Sequence, residues 1–413
     1  MTRSLSIPDP VVEVCRRLDE AGHRAWVVGG CVRDLLMGRE VSDWDLATSA
    51  LPGEVQATFK RTIPTGIQHG TVTVVSRGRH YEITTLRGEG AYSDGRRPDS
   101  VEFVREIEAD LGRRDFTVNA IAFDPLRETL VDPWGGLADL DAKVIRAVGD
   151  PAARFGEDGL RVLRAARFAA TLCFTLDPAT EAAIAPSLET FRKVSPERVH
   201  EEWRKALRSV RPSPAFEVMR RTGILAITCA PLAALSEDAF ARTMARVDRC
   251  RIDHELRLAA LLSGLEDAAW ADGWLRGLRA SNQERKRVLH LYAHTRVPES
   301  SALDAAGVRR WLSAVGLDAV GDVLELARAS NEDVQALRDR ARAEVDRGVP
   351  LAIRDLPITG EDVVRIAGTR PGRYVGEILD KVLERVLDDP SLADRERLLE
   401  LARQELIARE LTS

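Results

Sequence analysis

The spacing of apolar residues changes once along this chain, near residue 150. Before that point, short segments alternate as strands do, namely AWVV, VSDWDLA, TVTVV, YEITTL and VEFV, with turns such as GG and SDGRRP between them. After it, apolar residues recur at helical spacing, as in LRVLRAARFAATL and VGEILDKVLERVL. The pattern predicts an α/β domain with a small sheet and then an all-helical part. The stretch DRGVPLAIRDLPITG, residues 346–360, is interpreted as a linker to a last helical piece.

Composition limits the class of protein. A chain of 413 residues, 44% hydrophobic and 30% charged, has room for two to four domains. The five cysteines are odd in number and lack CxxC spacing, which argues against a disulfide framework or a zinc ribbon. With no run of 18 apolar residues and no signal-peptide pattern, we expect a soluble cytoplasmic protein. The net charge of −5 means that a nucleic acid would need a local basic surface.

Two carboxylates flank a tryptophan in the predicted strand VSDWDLA. Successive side chains of a strand point to opposite faces, so Asp43 and Asp45 share one face and Trp44 takes the other, facing the core. Glu82 shares a face with Thr84 on another predicted strand. If the two strands are neighbours, three carboxylates converge, and such an oxygen-rich site suits Mg²⁺. Each motif alone is also compatible with a solvated strand edge.

A double glycine lies just upstream, in VVGGCVRD. The segment predicts a strand, a turn at Gly29 and Gly30, and a helix with Arg33 in its first turn. Glycines allow backbone N–H groups to approach a phosphate closely, and a helix N-terminus adds a favourable dipole. A glycine turn followed by acidic strands is the arrangement that phosphoryl transfer requires.

Two further segments carry arginines. LGRRDFTVNAIAFDP is helix-like and contains Arg113, Arg114, Asp115 and Asn119. RFGEDGLRVLRAARFAA places side chains at intervals of three, which lie along one helix face, at Asp158, Arg161, Arg164 and Arg167. No acidic residue follows between Gly159 and Leu176, so we expect that face to be basic.

These stretches, in this order from residue 26 to about residue 207, resemble the class II tRNA nucleotidyltransferases, or CCA-adding enzymes, of the polymerase-β-like nucleotidyltransferase superfamily. The helical half resembles the family more loosely, chiefly in ITGEDVVRIAGTRPGRYVGEIL. The resemblance implies an α+β fold, in which a polymerase-β-like nucleotidyltransferase domain with a small mixed sheet precedes an all-helical C-terminal part. It also implies four domains, a catalytic head (1–147), a nucleotide-selecting neck (148–208), a body (209–345) and a tRNA-binding tail (346–413).

The resemblance also assigns roles to residues. Asp43 and Asp45 would hold the Mg²⁺ ions, with Glu82 as the third acidic residue. The nucleotide would be bound by Gly29, Gly30, Arg33, Arg114, Asn119, Asp158, Arg161, Arg164 and Arg167. Of these, Gly30, Arg33 and Arg114 would lie at the triphosphate, and Asp158 and Arg161 at the edge of the base, with Arg164 and Arg167 behind them. The metal ions would bring the 3′-hydroxyl of RNA in line with the α-phosphate.

Base selection follows from donors and acceptors. A carboxylate only accepts hydrogen bonds and a guanidinium only donates them, so Asp158 and Arg161 would present an acceptor beside a donor. Cytosine and adenine both offer an amino group next to an acceptor nitrogen, whereas uracil and guanine reverse that pattern. The pair would therefore accept CTP and ATP and reject UTP and GTP without a nucleic-acid template. A competing interpretation makes Asp158 a helix cap or an ion-pair partner of Arg161.

Several alternatives stay open at this point. The composition of residues 87–100 predicts a flexible loop. In the family that the chain resembles, a loop at this place accompanies A addition, so the resemblance favours either full CCA addition or A addition beside a separate CC-adding enzyme. A poly(A) polymerase and a non-catalytic RNA-binding protein are weaker candidates. No histidine is followed by Asp, so we expect no phosphohydrolase activity. The expected partners are tRNA, CTP and ATP, with no membrane, and the oligomeric state is left open.

Overall fold

The computed structural model of the chain describes residues 5–88, 102–265 and 267–410. Apart from Arg87 and Gly88, the predicted loop at 87–100 lies outside these residues. The chain forms two compact units: unit 1 is Met1–Ser236 with Gly277–Arg279, and unit 2 is Glu237–Arg276 with Ala280–Ser413. The four-domain division stays a prediction. Across the described ranges, no helix has the length and apolar character needed to cross a membrane.

A seven-stranded sheet organises unit 1, in the order β3-β4-β5-β2-β1-β6-β7. Only β2 and β5 run parallel, so the sheet is mixed, as predicted. Its strands are β1 (Ala25–Val28), β2 (Asp45–Thr48), β3 (Thr62–Gly66), β4 (Thr71–Ser76), β5 (Arg79–Thr85), β6 (Ala122–Asp124) and β7 (Thr129–Val131).

Two strand predictions need correction. VSDWDLA forms a strand only from Asp45. Its neighbour β1 pairs with it from Leu46 onward and ends at Val28, and the chain then turns at Gly29 into α2. Of VEFV, the described residues form a single bridge, between Phe103 and Arg87. Strand β3 escaped prediction because TIPTG contains Pro and Gly, which weaken a strand pattern and are tolerated at a sheet edge.

The helices of unit 1 begin before the sheet and continue after it. They are α1 (Asp9–Glu20), α2 (Gly30–Leu36), α3 (Pro52–Thr58), α4 (Ile107–Gly112), α5 (Gly136–Ala142), α6 (Pro151–Glu157), α7 (Leu160–Leu172), α8 (Pro178–Ala182), α9 (Leu188–Phe191), α10 (Pro196–Leu207), α11 (Ser213–Arg221), α12 (Ile224–Thr228) and α13 (Ala230–Ala233). The part after residue 150 is not purely helical, because β9 (Thr175–Leu176) pairs in parallel with β8 (Val144–Ile145).

The two faces of the sheet are covered differently. One face carries fully buried side chains such as Val72 and Ile83 and lies under α1 and α3. On the other face, Trp26 and Ala47 pack in one cluster with residues of α4. Among the described residues, the helices of this cluster pack no farther than β2, and the outer strands β5, β4 and β3 present mostly polar side chains on this face, such as Glu82, Thr73 and Thr84. The predicted acidic residues lie where the cover ends.

Unit 2 consists of helices. They are α14 (Glu237–Arg249), α15 (His254–Leu262), α16 (Ala268–Gly277), α17 (Asn282–Ala293), α18 (Ala305–Val315), α19 (Leu317–Ala329), α20 (Gln335–Asp346), α21 (Gly360–Ala367), α22 (Tyr374–Asp388) and α23 (Arg395–Glu410). The predicted linker at 346–360 is wrong as a linker: Leu351, Leu356 and Ile358 are buried in one core with α18 and α22. Removing these three apolar side chains from water is favourable, and an exposed linker would leave them in contact with it.

Candidate active site

A cleft of ≈ 640 Å³ in unit 1 brings the predicted site residues together. Eleven of the twelve line it, and the exception is Asp43. The eleven come from the glycine turn, from β2 and β5, from the segment after α4, and from the start of α7. They are Gly29, Gly30, Arg33, Asp45, Glu82, Arg114, Asn119, Asp158, Arg161, Arg164 and Arg167.

Carboxylates occupy the sheet side of the cleft. Asp45 and Glu82 are direct partners in the parallel pairing of β2 and β5, so both side chains point to the same face. Trp44 is buried, as predicted. Burial raises the pKa of Asp45, and the neighbouring charges of Glu82 and Asp43 raise it further, against an opposing effect of Arg114. The site therefore concentrates negative charge around Asp45.

The third predicted carboxylate lies slightly apart. Asp43 precedes β2, is exposed, and accepts a hydrogen bond of 3.1 Å from the Ser42 hydroxyl. Within the described residues, no three or more His, Cys, Asp or Glu side chains are arranged to hold a metal ion. The expected convergence is thus seen for Asp45 and Glu82 but not for all three. Carboxylate oxygens are nevertheless the donor type that hard divalent cations prefer.

The double-glycine turn packs directly against an arginine. Gly29 has φ +74°, which favours glycine, and a Cβ atom there would lie 2.6 Å from Nη1 of Arg114 and would force that guanidinium to move. Arg114 donates to Oδ2 of Asp110 at 3.1 Å, while its buried Nε has no hydrogen-bond partner in the described part of the chain. The turn therefore places close-packed backbone beside guanidinium donors.

The stretch with Arg114 and Asn119 is not the continuous helix that its sequence indicates. Helix α4 ends at Gly112, Phe116 forms a bridge with Ala147, and Thr117–Asn119 is a short 3₁₀ helix. The cause is Asp115, whose Oδ1 accepts from the backbone N–H of Phe116 at 2.9 Å and from Nδ2 of Asn119 at 3.0 Å. Such local bonds compete with helix formation. The resulting break lets Arg114 and Asn119 both line the cleft.

The arginine face of α7 is not a free basic surface. Arg161 donates to the Glu157 carboxylate and to the backbone carbonyls of Arg154 and Arg113. Arg167 is ion-paired with Glu202. The expectation of a basic face was wrong because it counted acidic residues only from Gly159 to Leu176. Arg161 pairs with Glu157 just before that segment, and Arg164 and Arg167 take partners from distant elements. Buried charges require such partners.

A chain of hydrogen bonds connects the helix after the glycine turn to α7. Arg33 donates to Oδ1 of Asn119 at 2.6 Å, and Arg164 donates to Oδ2 of Asp115 at 2.6 Å. Burial alone would raise the pKa of Asp115, but Arg164 and the Asn119 hydrogen bond more than offset this and hold it well below its usual value. Asp115 is therefore a buried anion that ties the two sides of the cleft together.

Asp158 lies between α6 and α7 and already has two partners. Its Oδ1 accepts from the backbone N–H of Leu160 at 3.0 Å, and its Oδ2 accepts from Nη2 of Arg198 at 2.6 Å. Asp158 thus caps the helix, but its ion-pair partner is Arg198 and not Arg161 as the competing interpretation had it. Nη1 of Arg198 is buried, with no hydrogen-bond partner among the residues that are described.

Several residues that shape the cleft were missed from the sequence. Two had a readable signal: Asp110 stands three and four residues before its partners Arg113 and Arg114, and Glu157 four before Arg161. Arg198 and Glu202 had none, because their partners are distant in sequence. Thr71 and Thr84 also line the cleft beside Glu82. Strand alternation had placed Thr84 on the face of Glu82, whereas Thr71, on another strand, had no such signal.

Three family models match consecutive parts of the chain. Residues 25–146 match the poly A polymerase head domain. Residues 173–232 match a probable RNA and SrmB-binding site of polymerase A. Residues 253–402 match a putative domain 2 of tRNA nucleotidyltransferase.

Individual proteins match over nearly the whole length. The CCA-adding enzyme of Ligilactobacillus salivarius is 34% identical over 404 residues, which are 97% of this chain and 98% of the relative. The crystal structure of the Bacillus stearothermophilus CCA-adding enzyme in complex with CTP has a TM-score of 0.81 at 31% identity and covers 98% of this chain and 100% of that one. A tRNA nucleotidyltransferase complexed with a primer tRNA and an incoming ATP analogue has a TM-score of 0.64 at 26% identity, covering 81% of this chain and 98% of that one.

Proposed function

The chain belongs to the family of CCA-adding enzymes, and from this membership we propose how its own residues carry out the family's reaction. It is a tRNA nucleotidyltransferase that adds C and A nucleotides to the 3′ end of tRNA from CTP and ATP, without a template. The 3′-oxygen of the RNA forms a bond to the α-phosphorus, and the bond from that phosphorus to pyrophosphate breaks. The observation that carries the assignment of roles is one cleft lined by carboxylates, a glycine turn and an acceptor–donor pair.

Enzymes of this family generally use divalent metal ions, and we propose Mg²⁺ for this chain. Asp45 and Asp43 would hold it, with Glu82 beside them. The fit is supported by the raised pKa of Asp45. Desolvation and the negative charges of Glu82 and Asp43 disfavour the ionised carboxylate, and a bound cation would offset both effects. When bound, the metal would stabilise the negative charge that builds up on the reacting phosphate oxygens.

The triphosphate is proposed to lie on the glycine turn. Gly29 and Gly30 permit close approach of the nucleotide to the backbone, and Arg114 offers guanidinium donors at the same place. Arg33 and Asn119 support this site from behind, since Arg33 donates to Asn119 and Asn119 donates to the buried Asp115. Their role is to hold the contact atoms still, which lowers the entropic cost of reaching the transition state.

Asp158 and Arg161 are proposed to read the base. After capping α7 and accepting from Arg198, the Asp158 carboxylate still has lone pairs for the amino group of cytosine or adenine. Arg161 keeps donors that its three partners within the protein do not use, because a guanidinium has five N–H groups. Glu157 orients Arg161 from the back of the cleft, while Arg164 and Arg167 anchor α7 through Asp115 and Glu202.

The activity is tested by incubating the protein with tRNA that lacks CCA, with CTP and ATP singly and together, and sizing the products. We expect two C residues with CTP alone and a complete CCA end with both. Addition of A only to tRNA already ending in CC would identify an A-adding enzyme. A long A tail would identify a poly(A) polymerase.

Base reading has a sharper test. Asp158→Ala should lower incorporation of C and A roughly ten- to a hundredfold and raise UTP and GTP relative to them, since a charge-assisted hydrogen bond to a buried edge is worth about 1.5–3 kcal/mol. Asp150→Ala is the matched control, because Asp150 caps α6 and does not line the cleft. A ratio of kcat/KM for CTP and UTP that stays unaltered in both variants would exclude base reading by Asp158.

We also propose that the protein acts in the cytoplasm, in a reducing compartment. Supporting this, all five cysteines are free thiols, and four of them are buried.

A further inference from the structure

One phenylalanine ring lies among three of the arginines that line the cleft. Phe168 belongs to α7, is 4% exposed and itself lines the cleft. The guanidinium carbon of Arg167 lies 3.8 Å from the centre of its ring, and those of Arg33 and Arg164 each lie 5.4 Å from it. All three are within the distance of about 6 Å at which cation–π attraction is significant. The roles proposed above for the cleft do not use this side chain.

The three arginines come from two different helices. Arg33 belongs to α2, whereas Arg164 and Arg167 belong to α7. Arg33 donates to Oδ1 of Asn119 at 2.6 Å and so supports the proposed triphosphate site. Helix α7 begins beside the pair that is proposed to read the base. Phe168 is therefore the place where side chains that serve the two parts of the nucleotide meet.

The ring constrains these arginines in addition to their ion pairs. Each arginine has a carboxylate partner of its own, and the pairs are Arg33–Asp34, Arg164–Asp115 and Arg167–Glu202. The N–H donors of a guanidinium lie in its plane, so its flat side can rest on a ring while the donors keep their partners. The negative face of the ring also offsets the mutual repulsion of three cations that are crowded around it.

Two simpler roles for Phe168 do not account for these contacts. A nucleotide base cannot stack on the ring, because the ring is buried and its surroundings are already occupied by guanidinium groups. Packing accounts for the contact with Phe116, which meets the ring edge to face with the ring centres 5.6 Å apart. An aliphatic side chain would fill the same space but would offer no negative face to the arginines.

Resting on the proposed function, we propose that Phe168 is a positioning residue that fixes the spacing between the triphosphate site next to α2 and the base-reading pair at the start of α7. A nucleotide must occupy both places at once, so its affinity depends on their spacing as well as on the contacts at each. A ligand that occupies only one of the two places does not depend on that spacing.

Fluorination of the ring tests the proposal while keeping the packing. Phe168 is replaced by mono-, di- and trifluorophenylalanine, which nearly keep the size of the ring but withdraw electron density from its faces. We expect the Kd for CTP and for ATP, measured by calorimetry with Mg²⁺, to rise stepwise and to reach about tenfold with the trifluoro ring. Equal Kd values across the series would overturn the proposal, because a side chain that only packs is indifferent to the charge distribution of its ring.

Phe216 provides the matched control. It is fully buried and meets Trp203 edge to face at 5.0 Å, and within the described ranges no guanidinium lies over its ring. The same fluorinated residues at position 216 should leave the Kd for CTP within about twofold of the wild-type value. A rise as large as that at position 168 would assign the effect to packing and overturn the proposal.

Tripolyphosphate separates spacing from the phosphate contacts themselves. It carries the phosphate groups of a nucleotide without sugar or base, so its Kd should change less than about twofold when Phe168 carries three fluorines. Parallel weakening of tripolyphosphate and CTP would mean that Phe168 supports the phosphate site alone, which overturns the proposed spacing.

The same measurements distinguish this proposal from the proposed function. If the wild-type protein binds CTP but adds no nucleotide to any tRNA, the proposed function fails, whereas the fluorinated series still decides the role of Phe168. A wild-type protein that binds neither CTP nor ATP would overturn both.

Discussion

Both units contain arginine–carboxylate networks, but the two networks do different things. In unit 1, the pairs Arg164–Asp115 and Arg167–Glu202 are largely buried and surround the cleft. In unit 2, Arg251 and Arg287 keep 45% and 37% of their side chains exposed, and their ion pairs with Asp253 and Asp322 connect the start of α15 with α17 and α19. The density of arginines therefore does not reveal function, and burial alone does not either, because Arg309 and Glu344 of unit 2 also form a buried pair.

Burial changes the energetics as well as the role. An exposed pair is worth about 0–1 kcal/mol, because water screens it and the side chains lose entropy. A buried pair costs several kcal/mol to break, because one charge is then left without a partner. In unit 1 the buried pairs hold groups in fixed positions around the cleft. In unit 2 the exposed network around Arg251 and Arg287 joins neighbouring helices at the surface.

The carboxylates give the largest expected contrast between the units. Asp45→Asn should lower nucleotide addition by roughly a thousandfold or more, about 4 kcal/mol of the barrier, because the proposed metal loses a ligand. Its melting temperature should stay the same or rise, because burial and Glu82 disfavour the charged form of Asp45. Activity assays and melting curves check both points, with Asp322→Asn in unit 2 as control. Near-normal activity of Asp45→Asn would remove Asp45 from the chemistry.

The buried network should show the next largest effect. Glu202 is 2% exposed and pairs with Arg167, so Glu202→Gln should lower the free energy of unfolding of unit 1 by roughly 3–5 kcal/mol. The comparison residue in unit 2 is Glu384, which is 62% exposed and pairs with Arg310. Glu384→Gln should lower the free energy of unfolding by only about 0–1 kcal/mol. Urea unfolding of both variants measures this. Equal costs would mean that burial does not separate the two networks.

The smallest effect concerns pH. Burial alone would raise the pKa of Asp253, but hydrogen bonds from Arg287 and from the backbone of Leu256 more than offset this and lower it to about 2. A lowered folded-state pKa stabilises the protein above the unfolded value of about 4, and this contribution is lost as the pH falls from about 4 to about 2. Asp253→Asn should therefore show a flatter dependence of stability on pH in that window. An identical slope in wild type and variant would contradict the assignment.

Asp115 sharpens that pH comparison. Its pKa is also lowered, chiefly because Arg164 and Asn119 outweigh the effect of burial. Its contribution to stability is therefore also present above the unfolded value of about 4 and is lost as the pH falls below it. Unfolding of Asp115→Asn, followed beside Asp253→Asn, compares the two.

Local sequence patterns predicted what depends on neighbours in the chain. Alternation placed Trp44 in the core and Glu82 on the opposite face from Tyr81, and the double glycine marked the turn where α2 begins. The mixed sheet and the family were also predicted correctly. These features follow from strand and helix periods and from the backbone freedom of glycine, all of which can be read over a few residues.

What could not be predicted depends on partners far away in sequence. The arginines of α7 looked uncompensated because Asp115 and Glu202 lie on other elements. The helix predicted across residues 113–119 broke because one carboxylate, Asp115, satisfied backbone and side-chain donors locally. Arg198 went unnoticed because nothing near it in sequence reveals that it pairs with Asp158.

Strand β4 shows how little has to change for a sheet to serve two environments. Its sequence TVTVVS places Val72 and Val74 in the dry interior and Thr71 at the wet cleft, yet threonine and valine have almost the same shape. Both are β-branched and favour the same extended backbone. Exchanging a methyl group for a hydroxyl therefore converts an apolar position into a hydrogen-bonding one, while the strand itself keeps its geometry. Single exchanges of valine for threonine can therefore make one face of such a sheet polar without any rearrangement of the chain.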